Sequence, residues 1–460
     1  MGKFIKLISI CSACAIAASM LGGCGGKQAA DVQEVQVWSH NSHSKDFMKT
    51  KIDEFNDTKG KDLGVKLVYT VKESDIQQTA EMAYASDQGP DFISQIDIEK
   101  NRASGNIIAI DDIKGGKEWI ESTYDPSTYE RSAFKGSDGK VYKLPFDVIT
   151  FGLIYNKDMF KKYGIVDENG EPTPPETFEE MREYAKRMTN PAEEDYGIIM
   201  PMKWGGFVST DVLSLLYSST GMGEFNCVEG KFDFSGAKPI LEMYYGMIQD
   251  NSVFPGGESL DNDTARAYFA ERNIGMKFAG SYDVGVFNTQ FKAKCDWGVA
   301  PYPVADKNQK YKQYMMAGGG YAVSKKAVEK FGDEACLEIL KFLYSDDLNK
   351  ELYEAGMGLG YKPEIAESAK SNNNLKGWEA FSNLVSISTG GYDSAKAELT
   401  GERNASQVIL EDVLTGNVSI DDAIADLNTR YNAAMKKYYE NNPDKNFNKL
   451  IKKDWNIKLD

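Results

Sequence analysis

Two rhythms of apolar residues organise this chain. Val35 and Val37 alternate with polar neighbours in a short strand ending near Trp38. Met48, Ile52 and Phe55 then recur at i, i+4 and i+7, the stripe of a helix that Ser44 is placed to cap. Val65, Leu67 and Tyr69 return to alternation. Strand, helix and strand at this spacing predict a βαβ unit with parallel strands. The pattern continues with a helix over about 75–86, a Gly89-Pro90 break and an apolar strand over 91–96. In open α/β sheets ligands bind beyond the carboxyl ends of strands, which points just past Trp38 and just past Ile93.

Further along, an apolar strand over 150–155 runs into Asn156-Lys157-Asp158, which starts a helix. After the prolines Pro172 and Pro175, Thr177-Phe178-Glu179-Glu180 reads as a capping box, with Phe178, Met181, Tyr184 and Met188 as the core face behind it. Thr415-Gly416-Asn417 is a turn, and Ser419 caps a helix with Ile420, Ala423, Ile424, Leu427 and Tyr431 on one side. Repeated strand–helix alternation makes the class α/β.

The N-terminus follows different rules. Lys3 and Lys6 precede an apolar run over 7–21, too short to span a membrane, which small residues and Cys24 close. Leu21-Gly22-Gly23-Cys24 resembles the lipobox of bacterial lipoproteins. The resemblance implies a signal peptide over 1–23, lipidation of Cys24 and a small, polar tether over 24–34. The remainder then works outside the cytoplasm, touching the membrane only through its anchor.

Composition narrows the partners. Sixty-nine acidic residues against 53 basic give a net charge of −16, and loss of 1–23 removes Lys3 and Lys6 but no acid. Such a chain repels nucleic acid and anionic lipid. Its 460 residues suggest two or three domains. Beyond Cys24 only Cys227, Cys295 and Cys336 remain, too sparse for a disulfide framework or zinc site and better read as small buried thiols. His40 and His43 are the only histidines and lack an evident third ligand, so no metal is expected. Gly318-Gly319-Gly320 lacks the lysine of a phosphate loop. No nucleophile elbow or zinc-protease motif is present, and neither enzyme activity nor a cofactor is expected.

Several blocks share a resemblance. Leu144-Pro145 with Gly152-Leu153-Ile154-Tyr155-Asn156-Lys157-Asp158 is similar to the first interlobe crossing of family 1 extracellular solute-binding proteins. These are the maltose-binding-protein-like receptors of sugar-importing ABC transporters. Gly89-Pro90-Asp91, Gly280-Ser281-Tyr282, Trp297 to Pro303 and Gly319 to Ser324 resemble further family segments, in the family's order. The resemblance implies a two-lobed periplasmic-binding fold with ligand in a hinged cleft. It places lobe 1 at 35–148 plus 302–344 and lobe 2 at 149–301 plus 345–460, with crossings near Ile149, Ala300 to Tyr302 and Ser345.

A sugar cleft needs aromatic faces for the C–H side of a pyranose and polar groups for its hydroxyls. Trp38 and Asn41 sit past the first strand, and Gln95 and Asp97 past the third. Asp147 lies at the first crossing. Trp204 stands beside Gly205-Gly206, and Tyr282 aligns with the family's stacking aromatic, with Asp283 next to it. Tyr392, in Gly390-Gly391-Tyr392-Asp393, is a further candidate. The expected protein is a monomeric receptor that captures a carbohydrate and delivers it to an ABC permease. The alternatives are the same fold binding a peptide or organic anion, or a surface glycosidase.

Overall fold

A computed structural model describes residues 32–72, 76–370 and 374–459. The signal segment and Cys24 lie outside the described residues. In chain order the strands are β1 (Gln33–Ser39), β2 (Val65–Val71), β3 (Phe92–Ile93), β4 (Ile107–Ile108), β5 (Pro145–Asn156) and β6 (Tyr196–Ile198). They continue with β7 (Phe225–Asn226), β8 (Lys231–Phe232), β9 (Ile274–Gly280), β10 (Trp297–Ala300), β11 (Gln313–Gly319), β12 (Ala322–Ser324) and β13 (Ser388–Gly390). Two sheets define two lobes.

The first sheet has the order β2-β1-β3-β12-β4. β1 pairs in parallel with β2 and with β3, as the βαβ pattern requires. Between β1 and β2 the helix Lys45–Asp57 buries Met48, Ile52 and Phe55. A short helix, Lys59–Leu63, then stops at Gly64, whose φ of 69° is the left-handed conformation glycine adopts without a Cβ clash. The Asp91 carboxylate accepts the Gln36 N–H at 2.7 Å and ties the strand after Pro90 to β1. That strand is shorter than its apolar pattern, ending at Ile93 because the chain turns at Ser94.

The second sheet runs β13-β11-β5-β9-β6, with β10 added to the far part of β5. β5 is antiparallel to β11, β9 and β10. Around it packs the larger core, including Phe151, Leu153, Phe160, Tyr244 and Phe278. The helix Phe178–Arg187 opens on the capping box: Glu180 N–H donates to Thr177 Oγ1 at 3.1 Å, and Thr177 N–H to Glu180 Oε2 at 3.2 Å. Ser419 caps the long helix Ile420–Asn441 in the same sense.

Three details differ from the sequence reading. Ser44 holds the cap position of Lys45–Asp57 without a side-chain cap bond, because a short 3-10 turn, Ser42–Ser44, precedes that helix and buries the serine. The stretch from Trp297 to Tyr302 does not cross between lobes: β10 pairs with β5, and the Tyr302 N–H donates to Gln313 Oε1 within the second lobe. β11 also belongs to the second sheet, so of 302–344 only the part from Gly320 onward packs in the first lobe. Beyond that segment, Leu348 and Leu352 remain in the first lobe's core. The chain therefore passes between lobes at Leu144–Asp147 and Gly319–Tyr321, and a third time only after the helix Pro363–Ser368, since Tyr361 stacks on Tyr124 at 5.1 Å and Lys362 pairs with Asp346 in the first lobe. Side chains hold two of these passages: Tyr344 Oη accepts from Leu144 N–H at 3.0 Å and donates to the Tyr321 carbonyl at 3.0 Å.

Candidate ligand cleft between the lobes

The β5–β11 ribbon passes from one lobe to the other, and beside it lies a cavity lined by the first lobe and by the ribbon itself. Asn41, His43 and Ser44 come from the turn after β1, and Ser94 from the turn after β3. Phe146 and Asp147 belong to β5, Gly319 to the end of β11, and Met357 to the loop after the helix Asp346–Glu354. These are the first-lobe turns that the carboxyl-end rule names. The cavity holds only about 20 Å³, room for roughly one water. A sugar enters only if the lobes part.

The two lobes already touch around it. The His43 ring stacks on Tyr282 at 4.9 Å with 24° between planes. The Arg266 guanidinium lies 5.3 Å from the same tyrosine ring. Ser42 Oγ donates to Asp263 Oδ1 at 3.2 Å, and at the other end of the cleft Ser132 Oγ donates to Asp393 Oδ1 at 2.9 Å.

Burial sets the charge state of the cleft. Desolvation, then the Lys143 ammonium, lowers His40 to about 4, with its Nδ1 2.7 Å from Ser94 Oγ. Desolvation, Arg266 and His40 together push His43 well below the usual imidazole range. Lys143, buried with its amine 3.4 Å from the Ser94 carbonyl, falls to about 8 by desolvation. Asp147 rises to about 7 by desolvation, against a bond from its own backbone. Its carboxylate fills the space beside Gly318, where a Cβ would come within 1.6 Å of Oδ1. Near neutral pH both imidazoles are uncharged, and the wall offers hydrogen-bonding groups more than fixed charge.

Asn41 and Asp147 line the cavity, and Tyr282 closes it through His43. The other sequence candidates sit elsewhere. Trp38 packs beside Tyr84 with the Lys72 amine 4.3 Å from its ring, and Gln95 is exposed. Asp97 caps the helix Ile98–Ala103 by accepting from Lys100 N–H at 2.9 Å. Trp204 packs on the second lobe's core. Asp283 is fully buried, accepting from Arg266 Nε at 2.6 Å. The Tyr392 hydroxyl accepts from Gly223 N–H at 2.8 Å and donates to the Phe225 carbonyl at 2.6 Å. His43, Ser94 and Met357 also line the cavity, and none of them is among the sequence candidates for ligand contact. For Ser94 the signal was available, since it directly follows Ile93.

A larger hollow of about 250 Å³ on the second lobe, beside Lys162, Arg272 and Lys294, does not reach the first lobe. Lys162 there already pairs with Asp195 and Glu193.

Two α/β lobes joined by three passages, with a cavity closed by contacts across them, define a hinged solute receptor. The chain belongs to the family of bacterial extracellular solute-binding proteins, whose family model matches residues 41–350. It is similar to the maltotriose-binding protein of Pyrococcus abyssi (strain GE5 / Orsay), 26% identical over 317 residues, 66% of this chain and 60% of that protein. It is also similar to the maltodextrin-binding protein MdxE of Bacillus subtilis (strain 168), 23% identical over 224 residues, 46% of this chain and 50% of that protein. The matched region thus spans between half and two-thirds of these curated relatives. Among solved structures, the maltose/maltodextrin-binding domain MalE from Bdellovibrio bacteriovorus bound to maltotriose superposes with a TM-score of 0.66. It is 17% identical, and the match covers 88% of this chain and all of that one. At that identity it shows a shared fold.

Proposed function

We propose that this protein is an extracytoplasmic receptor that captures a carbohydrate by closing its two lobes and delivers it to an ABC permease. One observation carries the reading: the cavity lies at the interlobe ribbon, and the imidazole that lines it from one lobe stacks on a tyrosine of the other. An aromatic face beside neutral donors and acceptors suits the mixed apolar and hydroxylated surface of a sugar. The names of the relatives, which bind maltotriose and maltodextrin, support the same ligand class. Among the described residues Asp147 is the only acid lining the cavity, which favours binding over the two-carboxylate chemistry of a glycosidase. Tethering through a lipidated Cys24 keeps the receptor near its permease, and a single chain supplies both walls of the cleft. The lobes are taken as 35–144 plus 320–370 and 145–319 plus 374–460.

A thermal-shift screen of the soluble chain against neutral sugars, amino acids, peptides and glycerol phosphate tests the ligand class. Stabilisation by sugars alone is expected. Stabilisation by a peptide or organic anion with none by sugars overturns the reading. For the anchor, Cys24→Ser should release the protein into the medium with its sugar affinity intact.

A further inference from the structure

The lobes touch at both ends of the cleft, and at one end they touch on the ring proposed to stack sugar. Tyr282 is fixed from within the second lobe. A Cβ at Gly280 would come within 2.5 Å of its ring, and the Arg266 guanidinium lies 5.3 Å from the ring centre. From the first lobe the His43 imidazole lies on this ring at 4.9 Å, 24° from parallel. That is the stacked geometry a flat ligand face takes on an aromatic ring. His43 thus stands where a sugar would.

Neighbouring contacts hold the imidazole there. Ser42, buried beside it, inserts into an ion pair of the opposite lobe. Its Oγ lies 3.2 Å from Asp263 Oδ1 and 3.4 Å from Arg266 Nη1, and those two atoms are 2.6 Å apart. Three residues past Tyr282, the Gly285 N–H donates to the Gly356 carbonyl of the first lobe at 2.9 Å. At the other end of the cleft Asp393 accepts from Ser132, from its hydroxyl at 2.9 Å and its N–H at 3.2 Å. Lys445, beyond the helix Ile420–Asn441, reaches across to donate to Ser137 Oγ at 3.1 Å.

Surface bonds of this kind each contribute little. Acting together on two packed lobes they favour one arrangement, in which the cavity beside His43 has room for about one water. All of these contacts join protein to protein, so the chain stabilises this closed form by itself. A ligand that needs the Tyr282 face first has to displace the imidazole. Its apparent affinity then falls in proportion to the fraction of molecules that are open. We propose that His43 is an internal competitor for the Tyr282 face, and that the Ser42 and Asp393 contacts clasp the lobes in an autoinhibited closed form that opens before sugar enters. The competition rests on the receptor reading above; the clasp does not.

Small-angle X-ray scattering of the soluble chain without sugar tests the clasp. Calorimetric titration with maltotriose, and with any other sugar that stabilises the chain, tests the competition. The parent should scatter as this closed form. His43→Ala and Asp393→Ala should each expand it, and each should raise sugar affinity by roughly threefold to tenfold. Asp393→Ala acts at the far end of the cleft and leaves the stacking face unaltered. His43→Phe keeps a ring on Tyr282 and should stay compact, with affinity no higher than the parent's. A parent that scatters as an open form overturns the proposal, and so do folded alanine variants of unchanged shape. Affinity unchanged or lower in both alanine variants also overturns it, because the contacts would then serve the liganded form. No binding of any sugar by the folded chain overturns the receptor reading, while the scattering still decides the clasp.

Discussion

The His43 imidazole lies against the Tyr282 phenol across the lobe boundary, 4.9 Å between ring centroids. In this closed form His43 occupies a tyrosine face that a pyranose would use when bound. Tyr282→Ala should therefore weaken binding of the recognised sugar by roughly tenfold or more, while Tyr282→Phe keeps most of it. Calorimetry of both variants, with circular dichroism to establish folding, checks this.

Behind that ring, Arg266 is held by Asp283 and Asp263, each at 2.6 Å, with Asp283 fully buried. Removing Asp283 takes away the buried carboxylate of this pair of ion pairs and leaves the more exposed Asp263 in place. Asp283→Ala should cost about 3–5 kcal/mol of stability. Urea unfolding measures it, and a change below about 1 kcal/mol would show that water already reaches the pair.

The histidines make stability depend on pH. Both folded pKa values lie below the free imidazole value of 6.5, His40 at about 4. As pH falls below 6.5 the unfolded chain takes up protons that the closed form refuses, so stability falls. His40 should contribute up to about 1.4 kcal/mol per pH unit between roughly 6.5 and 4, and His43 acts in the same direction. Thermal melts should show a shallower acid slope in His40→Gln.

Asp147 works in the opposite direction. Its folded pKa of about 7 exceeds the ordinary 3.8, so the folded chain binds the extra proton and loses stability as pH rises between these values. Asp147→Asn, which keeps the shape beside Gly318, should be more stable than the parent at pH 8, by about 1–3 kcal/mol, with the gain gone at pH 4. Denaturant melts at the two pH values test the sign.

Local patterns in the sequence carry most of the fold. Thr177 and Glu180 sit three apart and form the box their spacing implies. Met48, Ile52 and Phe55 share a face, and a helix buries it. Long-range partners are less legible. Nothing in Gln313 to Gly319 states that this strand pairs with β5, so its lobe emerges only in three dimensions. The cleft follows the same rule. Asn41 and Asp147 were reachable from strand ends and a crossing, but His43 acquires its role only from Tyr282, 239 positions away in the other lobe. Tyr392 and Asp283 look like ligand groups in sequence because a tyrosine hydroxyl and a carboxylate carry the same chemistry whether they meet ligand or protein. In the fold their polar atoms bond to Gly223, Phe225 and Arg266.

The most direct measurement is calorimetric titration of the soluble chain against neutral oligosaccharides, with glycerol phosphate and a mixed peptide library as controls. A saturable, one-to-one heat with a neutral sugar, lost in Tyr282→Ala, is expected. No heat with any sugar from a folded protein, or heat with a control ligand alone, would contradict the assignment of this cleft to carbohydrate.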